Sequence, residues 1–362
     1  MIIPFLIYIS NERPTISVII TAFNRTEFLK ECVVSVLNQD INPKEVEIIV
    51  VKNFANSEID DFLNKRSVKA ILSAECPIGR MLSLGVRNAT GELISFLDDD
   101  DLFFSNKLSY VVTKFMTNKN LLYYHNSQMI INKQSELVLN TKIERKTMNI
   151  CLTNQTNMRT ALMDFKRNKI NLGSFFFNLS SITVRRSLLT DNLSYLERLD
   201  THPDDFMFYL AIVQPNSKLC NEDAKLTYYR YHDSTTNVLT KNNYDGLLNK
   251  RIDLFVKSIN SSKLFVEMVN DKTLNRYARS RLEHEQIMLD KLRGKTLEVL
   301  KGLIKLIFNR NLAVIEYDRK KRLKTYIGLC LYVSFYTFSK KLRFLQKFQK
   351  AHEEIQSLSR YS

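Results

Sequence analysis

Four carboxylates in an unbroken row, Asp98, Asp99, Asp100 and Asp101, are the residues with the plainest chemical potential in this chain. Adjacent like charges repel. Hard carboxylate oxygens grouped this closely suit a small divalent cation such as Mg²⁺ or Mn²⁺. The alternative is a solvated acidic loop that caps the following helix, because Asp favours helix N-termini. A second acidic pair, Asp204 and Asp205, opens an apolar helical stretch. It offers a general base, or simply charges that suit the positive end of a helix dipole. His232 directly follows a strand-like run and suits a metal or a diphosphate, with a structural histidine as the alternative. Arg230 suits a phosphate by charge and a surface position equally well.

The elements that must position these groups follow from hydrophobic patterning. An apolar, β-branched strand is expected over 16–21, then a polar turn and a helix over 26–38 capped by Thr26. Further strands are expected over 46–51, 68–72 and 93–97, with helices over 57–65 and 79–89 between them. Strand and helix alternate with short joints, which predicts an α/β fold with a Rossmann-like, mostly parallel central sheet flanked by helices. The acidic row then lies at the carboxyl end of the fourth strand, where open α/β sheets bind ligands. No GxGxxG follows the first strand, so the dinucleotide fingerprint is absent.

Beyond residue 104 the pattern predicts a helix over 106–116 and strands over 121–124 and 128–131. Residues 132–170 are polar and irregular, as lids and binding loops often are. An apolar, β-rich segment at 175–184, a helix over 204–213 and a strand over 226–231 complete a first domain at 1–240. Residues 241–362 read as a basic, all-α C-terminal region.

Charge divides along the same line. Residues 241–362 hold 26 of the 53 Lys and Arg against 12 of the 38 Asp and Glu, leaving the first 240 residues nearly neutral. A neutral catalytic body with a basic tail suggests two different partners. An anionic membrane surface, simple packing and nucleic acid are the tail's three readings, with nucleic acid the least fitting. Five scattered cysteines without metal spacing (Cys32, Cys76, Cys151, Cys220, Cys330) are expected to be reduced thiols of a cytosolic protein. Residues 1–9 make a poor signal peptide, and no run reaches the ~18 apolar residues of a transmembrane helix.

With these segments assembled, the chain resembles the family 2 glycosyltransferases of GT-A fold. Ser17-Val18-Ile19-Ile20-Thr21-Ala22-Phe23-Asn24-Arg25, with Leu29 and Ser35-Val36-Leu37-Asn38-Gln39, resembles the family's opening. Ala89 to Asp101 resembles its DXD segment, Pro203 to Leu210 the acidic helix start that bears the base, and Tyr229-Arg230-Tyr231-His232 with Ser234 and Thr236 the segment closing the site. Each motif is weak alone; their order and spacing carry the resemblance.

The resemblance implies a metal-dependent, inverting transfer of sugar from a nucleotide-sugar donor to a hydroxyl of a glycan or lipid-linked acceptor. Mn²⁺ or Mg²⁺ would be held by Asp98, Asp100 and His232. Donor contacts would come from Thr21, Phe23, Asn24, Arg25, Asn53, Arg80, Asp98, Asp99 and Arg230. Asp205 matches the base position, with Asp204 second. Two departures stand out: Val50-Val51 leads into Lys52-Asn53 where the family usually has Asp, and Met81-Leu82-Ser83 replaces an Arg-bearing segment, leaving Arg80 for the diphosphate. Many relatives use lipid-linked acceptors, which places the chain in the cytoplasm, peripheral on the inner face of the cell membrane. The alternatives are a catalytically inactive glycosyltransferase-like scaffold and a sugar-phosphate nucleotidyltransferase, whose Gly-rich N-terminal loop is missing. Donor identity and a homo-oligomer stay open.

Overall fold

The computed structural model describes residues 14–74, 77–138, 149–153, 175–232, 244–270, 272–295 and 297–302. Strand β1 (Ile16–Ala22) is buried at every residue. It pairs in parallel with β2 (Val46–Lys52) on one side and β4 (Leu93–Asp98) on the other, and β3 (Lys69–Leu72) extends the sheet beyond β2. Helices α1 (Leu29–Leu37), α2 (Ser57–Asn64) and α3 (Ile78–Asn88) form the connections.

Strands β1 and β4 and the second half of β2 are buried because both faces are covered, whereas β3 at the edge is mostly exposed. Ile19, Ile49, Val51 and Phe96 pack with Met81, Leu82 and Val86 of α3. On the other face Val18, Ile20, Val50 and Leu97 pack with Leu29, Cys32, Val33 and Val36 of α1. Helix α1 starts later than the pattern suggested: Phe28, not Thr26, holds the cap position and makes no side-chain cap.

The all-parallel order ends at β4. Strand β8 (Ile182–Arg185) lies antiparallel to β4, β6 (Leu121–Ile131) antiparallel to β8, and β9 (Lys218–Arg230) parallel to β6. Strands β5 (Leu102–Phe103) and β7 (Ile150–Thr153) both pair antiparallel with β9. The order across the sheet is β3-β2-β1-β4-β8-β6-β9-β5.

Strand β6 fuses the two runs read separately from hydrophobicity. Polar His125, Asn126 and Ser127 interrupt the apolar pattern yet are buried. Their bonding explains this: His125 Nδ1 lies 2.7 Å from Asn221 Oδ1, Asn126 Nδ2 donates to Thr227 Oγ1 at 2.9 Å, and Ser127 Oγ donates to Asp223 at 2.8 Å. These bonds offset the burial of the donors, while Asn126 Oδ1 is buried without a partner among the described residues, where an unsatisfied group costs about 1–3 kcal/mol.

One expectation is corrected here. Cys151 of β7 and Cys220 of β9 are not reduced thiols but a disulfide, with Cα atoms 4.1 Å apart. Their strands place them directly opposite each other, a proximity that 69 residues of sequence separation hide. Cys32 is a buried free thiol, as expected.

The remaining helices are α4 (Lys107–Thr117), α5 (Arg186–Thr190), α6 (Leu193–Glu197), α7 (Pro203–Ile212), α8 (Tyr244–Met268) and α9 (Lys272–Leu292). The last two form a hairpin. Leu264 and Phe265 of α8 and Ala278 of α9 join Phe206 and Met207 of α7 in one core cluster, so the hairpin packs onto the sheet domain. Among the described residues, no helix is long and apolar enough to cross a membrane. Cys76, Cys330, Ser234, Thr236, residues 1–9 and the basic runs at 319–324 and 340–343 lie outside the described residues.

Helix α3 meets α6 at Gly79, where an added Cβ would lie 2.0 Å from the Leu196 carbonyl oxygen and 2.6 Å from that of Leu199. The Gly79 N–H also donates to the Leu199 carbonyl at 3.1 Å. An exposed helical Gly→Ala change is ordinarily stabilising by about 0.5–1 kcal/mol. Gly79→Ala is expected to reverse that sign and destabilise by about 2–4 kcal/mol through overpacking against rigid backbone. Thermal or urea unfolding of the variant checks this, and an unchanged midpoint would refute the close approach.

Candidate active site

The acidic row leaves β4 at the carboxyl edge of the sheet, beside β1, where Thr21 is the partner of Asp98. Each carboxylate has a different environment. Asp101 is buried and accepts hydrogen bonds from the Arg230 backbone N–H and from Asn178 Nδ2, both at 2.9 Å. Burial and the charge of Asp100 raise its pKa to about 7 against those bonds. Lys107, fully buried in the first turn of α4, donates to the Ser180 carbonyl and to Thr227 Oγ1; burial pushes its pKa well below the ordinary lysine value against the pull of Asp101.

Asp99 and Asp100 share Arg25. The guanidinium bonds Asp99 and lies 2.6 Å from Asp100 Oδ2. His232 Nε2 lies 2.7 Å from the same Asp100 oxygen and 3.0 Å from Arg25 Nη1. Burial works against the Asp100 charge, but His232 and Arg25 outweigh it and hold its pKa below the ordinary value. Asp99 moves the other way: burial raises it to about 6 despite Arg25. The ring of Phe28 completes the wall, 5.1 Å from the His232 ring and with the Arg25 guanidinium 5.7 Å from its centre.

Asp98 is the exception. No described side chain donates a hydrogen bond to its carboxylate; its backbone N–H is held by Ser180 Oγ at 3.0 Å. Burial, then the charges of Asp101, Asp100, Asp99 and Asp204, push its pKa well above the usual carboxylate range. A half-buried carboxylate among like charges is a site that a cation would relieve. The donor set of Asp98, Asp100 and His232 therefore fits a divalent cation by chemistry. Among the described residues, however, no three such donors converge on one point, and Arg25 occupies the gap beside Asp100.

The first turn of α7 adds two further carboxylates. Asp205 is 4% exposed and ion-paired with Arg281 of α9, while Asp204 is half-buried and its charge reaches Asp98. Burial and Asp205 raise Asp204 to about 7. The helix starts at His202, a left-handed residue with φ of 60°, followed by Pro203 at the first helical position.

The ends of β1 and β2 carry the other expected donor contacts. Asn24 and Asn53 form a reciprocal pair: Asn24 N–H donates to Asn53 Oδ1, and Asn53 Nδ2 to Asn24 Oδ1, each at 2.8 Å. Phe23 is 40% exposed beside them, and Arg80 is exposed in the first turn of α3. Arg230 is placed otherwise than its charge suggested. Its buried guanidinium donates to the Asp100 carbonyl at 2.7 Å, to the Asn132 and Lys133 carbonyls at 3.1 Å, to Ser135 Oγ at 2.8 Å and to Glu31 at 2.7 Å. It ties the acidic turn to the loop after β6.

Ser35 in α1 and Gln39 just after it have a comparable task. Gln39 Nε2 donates to the Phe104 carbonyl at 2.7 Å, its Oε1 accepts from Leu108 N–H at 2.8 Å, and Ser35 Oγ accepts from Phe103 N–H at 3.1 Å. Phe28, Lys107, Asn178, Ser180 and Arg281 were not singled out by sequence reasoning. Their roles depend on contacts between distant segments, and Lys107 and Arg281 read locally as ordinary helix-surface charges.

Residues 17–187 match the family model described as glycosyl transferase family 2. A Rickettsia bellii protein named as an uncharacterized glycosyltransferase is 32% identical over 126 residues, which are 33% of this chain and 18% of that protein. A Campylobacter jejuni protein named GalNAc(5)-diNAcBac-PP-undecaprenol beta-1,3-glucosyltransferase is 32% identical over 28% of this chain and 34% of its own length. The match thus spans well under half of either relative. The fold is that of S. aureus TarS 1-349, at a TM-score of 0.58 and 14% identity over 90% of this chain and 93% of that one. TarS 1-349 in complex with UDP-GlcNAc gives a TM-score of 0.54 at 14% identity over 90% and 94%. This is the GT-A fold.

If Arg230 acts as a structural tie, Arg230→Lys is expected to lower stability by about 2–4 kcal/mol, because one ammonium cannot reproduce the fork and leaves buried acceptors unpaired. Urea unfolding reads the loss. Normal stability with lost donor binding would instead assign the guanidinium to a ligand.

Proposed function

We propose that this chain, whose residues 17–187 belong to glycosyl transferase family 2, moves a sugar from a nucleotide-sugar donor to a hydroxyl of a glycan or lipid-linked acceptor, with inversion and with a divalent cation. One observation carries the reading: at the carboxyl edge of the sheet Asp98 has no side-chain donor among the described residues, while its neighbours Asp99 and Asp100 hold Arg25 and His232. Structures of the same fold support it, one bound to UDP-GlcNAc and another, a Pyrobaculum calidifontis mannosyltransferase at a TM-score of 0.50, bound to GDP-Man and Mn²⁺.

Asp98, Asp100 and His232 would hold the cation, which neutralises charge on a departing nucleoside diphosphate. Arg25 sits where it can transfer its bonds from Asp99 and Asp100 to that diphosphate. Thr21, Phe23, Asn24 and Asn53 line the ends of β1 and β2 for the nucleoside, with Phe23 offering an exposed ring and the Asn pair offering amide donors and acceptors. Arg80 supplies a further positive charge. Inversion needs in-line attack from the face opposite the leaving group, so one carboxylate of the Asp204–Asp205 pair accepts the acceptor's hydroxyl proton.

The undecaprenol-linked substrate in the Campylobacter jejuni relative's name and the basic residues beyond 241 support an acceptor presented at an anionic membrane surface. Basic residues near such a surface contribute about 1 kcal/mol each. The basic tail is read as facing lipid rather than nucleic acid.

Release of nucleoside diphosphate from UDP-, GDP- and dTDP-sugars, measured with Mn²⁺, Mg²⁺ and EDTA, tests this. One donor is expected to turn over only with metal, and Asp98→Asn and Asp100→Asn are each expected to lower kcat by about 100-fold or more. No turnover of any donor, even with anionic vesicles present, would favour the inactive scaffold.

A further inference from the structure

Both ends of the acidic turn are held by one short segment, residues 177–181, which leads into β8 beside β4, the strand that carries the turn. Asn178 Nδ2 donates to Asp101 Oδ2 at 2.9 Å, and Ser180 Oγ accepts from the Asp98 N–H at 3.0 Å. The turn itself is closed by the Asp101 N–H on the Asp98 carbonyl at 3.1 Å. The segment is fixed from behind. The Ser180 carbonyl accepts from buried Lys107 and from Thr227 Oγ1, the latter at 3.2 Å. Gln128 Nε2 donates to the Phe177 carbonyl at 3.1 Å and to Ser181 Oγ at 2.8 Å, and His125 Nε2 lies 2.8 Å from that same carbonyl.

Within this braced segment Asn178 has a strained backbone. Its φ of 71° and ψ of 115° lie outside the small left-handed well that asparagine tolerates, in a region that suits glycine. Strain of this kind persists only where the surroundings over-determine it, and it gathers at functional sites. The side chain shows what is gained. Its Oδ1 accepts from the Ser180 N–H at 3.0 Å while its Nδ2 reaches the buried Asp101 carboxylate, which also accepts from the Arg230 N–H at 2.9 Å. Glycine would relieve the backbone and could make neither side-chain bond.

We propose that Asn178 is a positioning residue: its strained backbone aims the amide at Asp101, and with Ser180 on the Asp98 N–H this fixes the turn so that Asp98 and Asp100 are held ready for a divalent cation. Asn178 never touches substrate; it acts through Asp101. A turn free to pivot has to be ordered at each binding event, whereas a fixed one presents its carboxylates already in place.

The inference rests on the glycosyltransferase reading, and the experiment separates the two. Full-length wild type, Asn178→Gly, Asn178→Ala and Asn178→Asp are compared in three measurements. These are Mn²⁺ binding followed by the EPR signal of the free ion, with and without UDP or GDP; a thermal melt; and kcat with the panel donor that wild type turns over. Alanine keeps the strain and loses the amide, whereas glycine loses both. Aspartate keeps the shape and the bond from the Ser180 N–H but cannot donate to Asp101 when ionised.

All three variants are expected to lose about 10–100-fold in Mn²⁺ affinity, the scale of a partner removed from behind a metal site, and kcat is expected to fall with it. Asn178→Gly is expected to melt about 2 °C or more above Asn178→Ala while being equally impaired. Function then follows the amide, and stability follows the backbone. The proposal is overturned if Asn178→Gly binds Mn²⁺ and turns over donor as wild type does. It is equally overturned if activity and Mn²⁺ affinity rank with melting temperature, glycine above alanine, because that describes a merely structural turn. Wild-type behaviour of Asn178→Asp would overturn it too, since the bond to Asp101 would then be dispensable. A wild-type chain that turns over no donor removes the glycosyltransferase reading, while the Mn²⁺ affinities and melts still decide the role of Asn178; one that also binds no Mn²⁺ removes both.

Discussion

Mutual repulsion at the end of β4 is the constraint around which this structure is arranged. Four consecutive carboxylates leave a strand whose other residues are buried. At an effective dielectric near 20, two such charges about 5 Å apart repel by about 3 kcal/mol. The cluster persists because partners arrive from every side. Arg25 comes from the β1–α1 turn, His232 from the end of β9, Lys107 from α4, and Asn178 with Ser180 from the segment before β8. Among the described residues Asp98 is left without such a side-chain partner, and burial and the neighbouring charges push its pKa well above the usual carboxylate range. Structural and chemical demands thus divide one short motif between them. Asp101 anchors the turn, Asp99 and Asp100 hold Arg25 and His232, and Asp98 stays available.

The same constraint explains why the second half of the sheet departs from parallel order. Supplying partners to the acidic turn requires β9 to run past it, so that Arg230 reaches the Asp100 carbonyl and His232 reaches the Asp100 carboxylate. Strand β5, only two residues long, is pinned to β9 just after the carboxylates. Strands β6 and β9 accept polar residues inside the sheet because each is bonded to a neighbour across the ladder. The disulfide between Cys151 and Cys220 ties β7 to β9 a few residues from this polar belt.

The C-terminal hairpin extends the arrangement beyond the family's matched region. Its apolar residues complete the core under α7, and its polar face meets the helix start through Ser258, Ser261, Arg281 and Glu285. Packing and electrostatics arrive on the same two helices, so the environment of Asp204 and Asp205 depends on residues more than 70 positions away.

By itself the sequence determined what is local or periodic. Continuous apolar runs marked β1, β2 and β4, and their alternation with amphipathic helices gave the α/β class; the motifs around 17–39, 89–101, 203–210 and 229–232 carried the family resemblance. Such signals survive in one dimension because strand and helix periods are properties of short segments. Tertiary structure decided what depends on meetings between distant residues. It joined 121–124 to 128–131 by giving His125, Asn126 and Ser127 partners on β9 and the segment before β8, and it brought Cys151 opposite Cys220. It also turned Arg230 from its expected phosphate to the protein's own carbonyls, and it set Arg281 on Asp205. A charge read along the chain has only a sign; which group it meets is fixed by the fold that brings the two together.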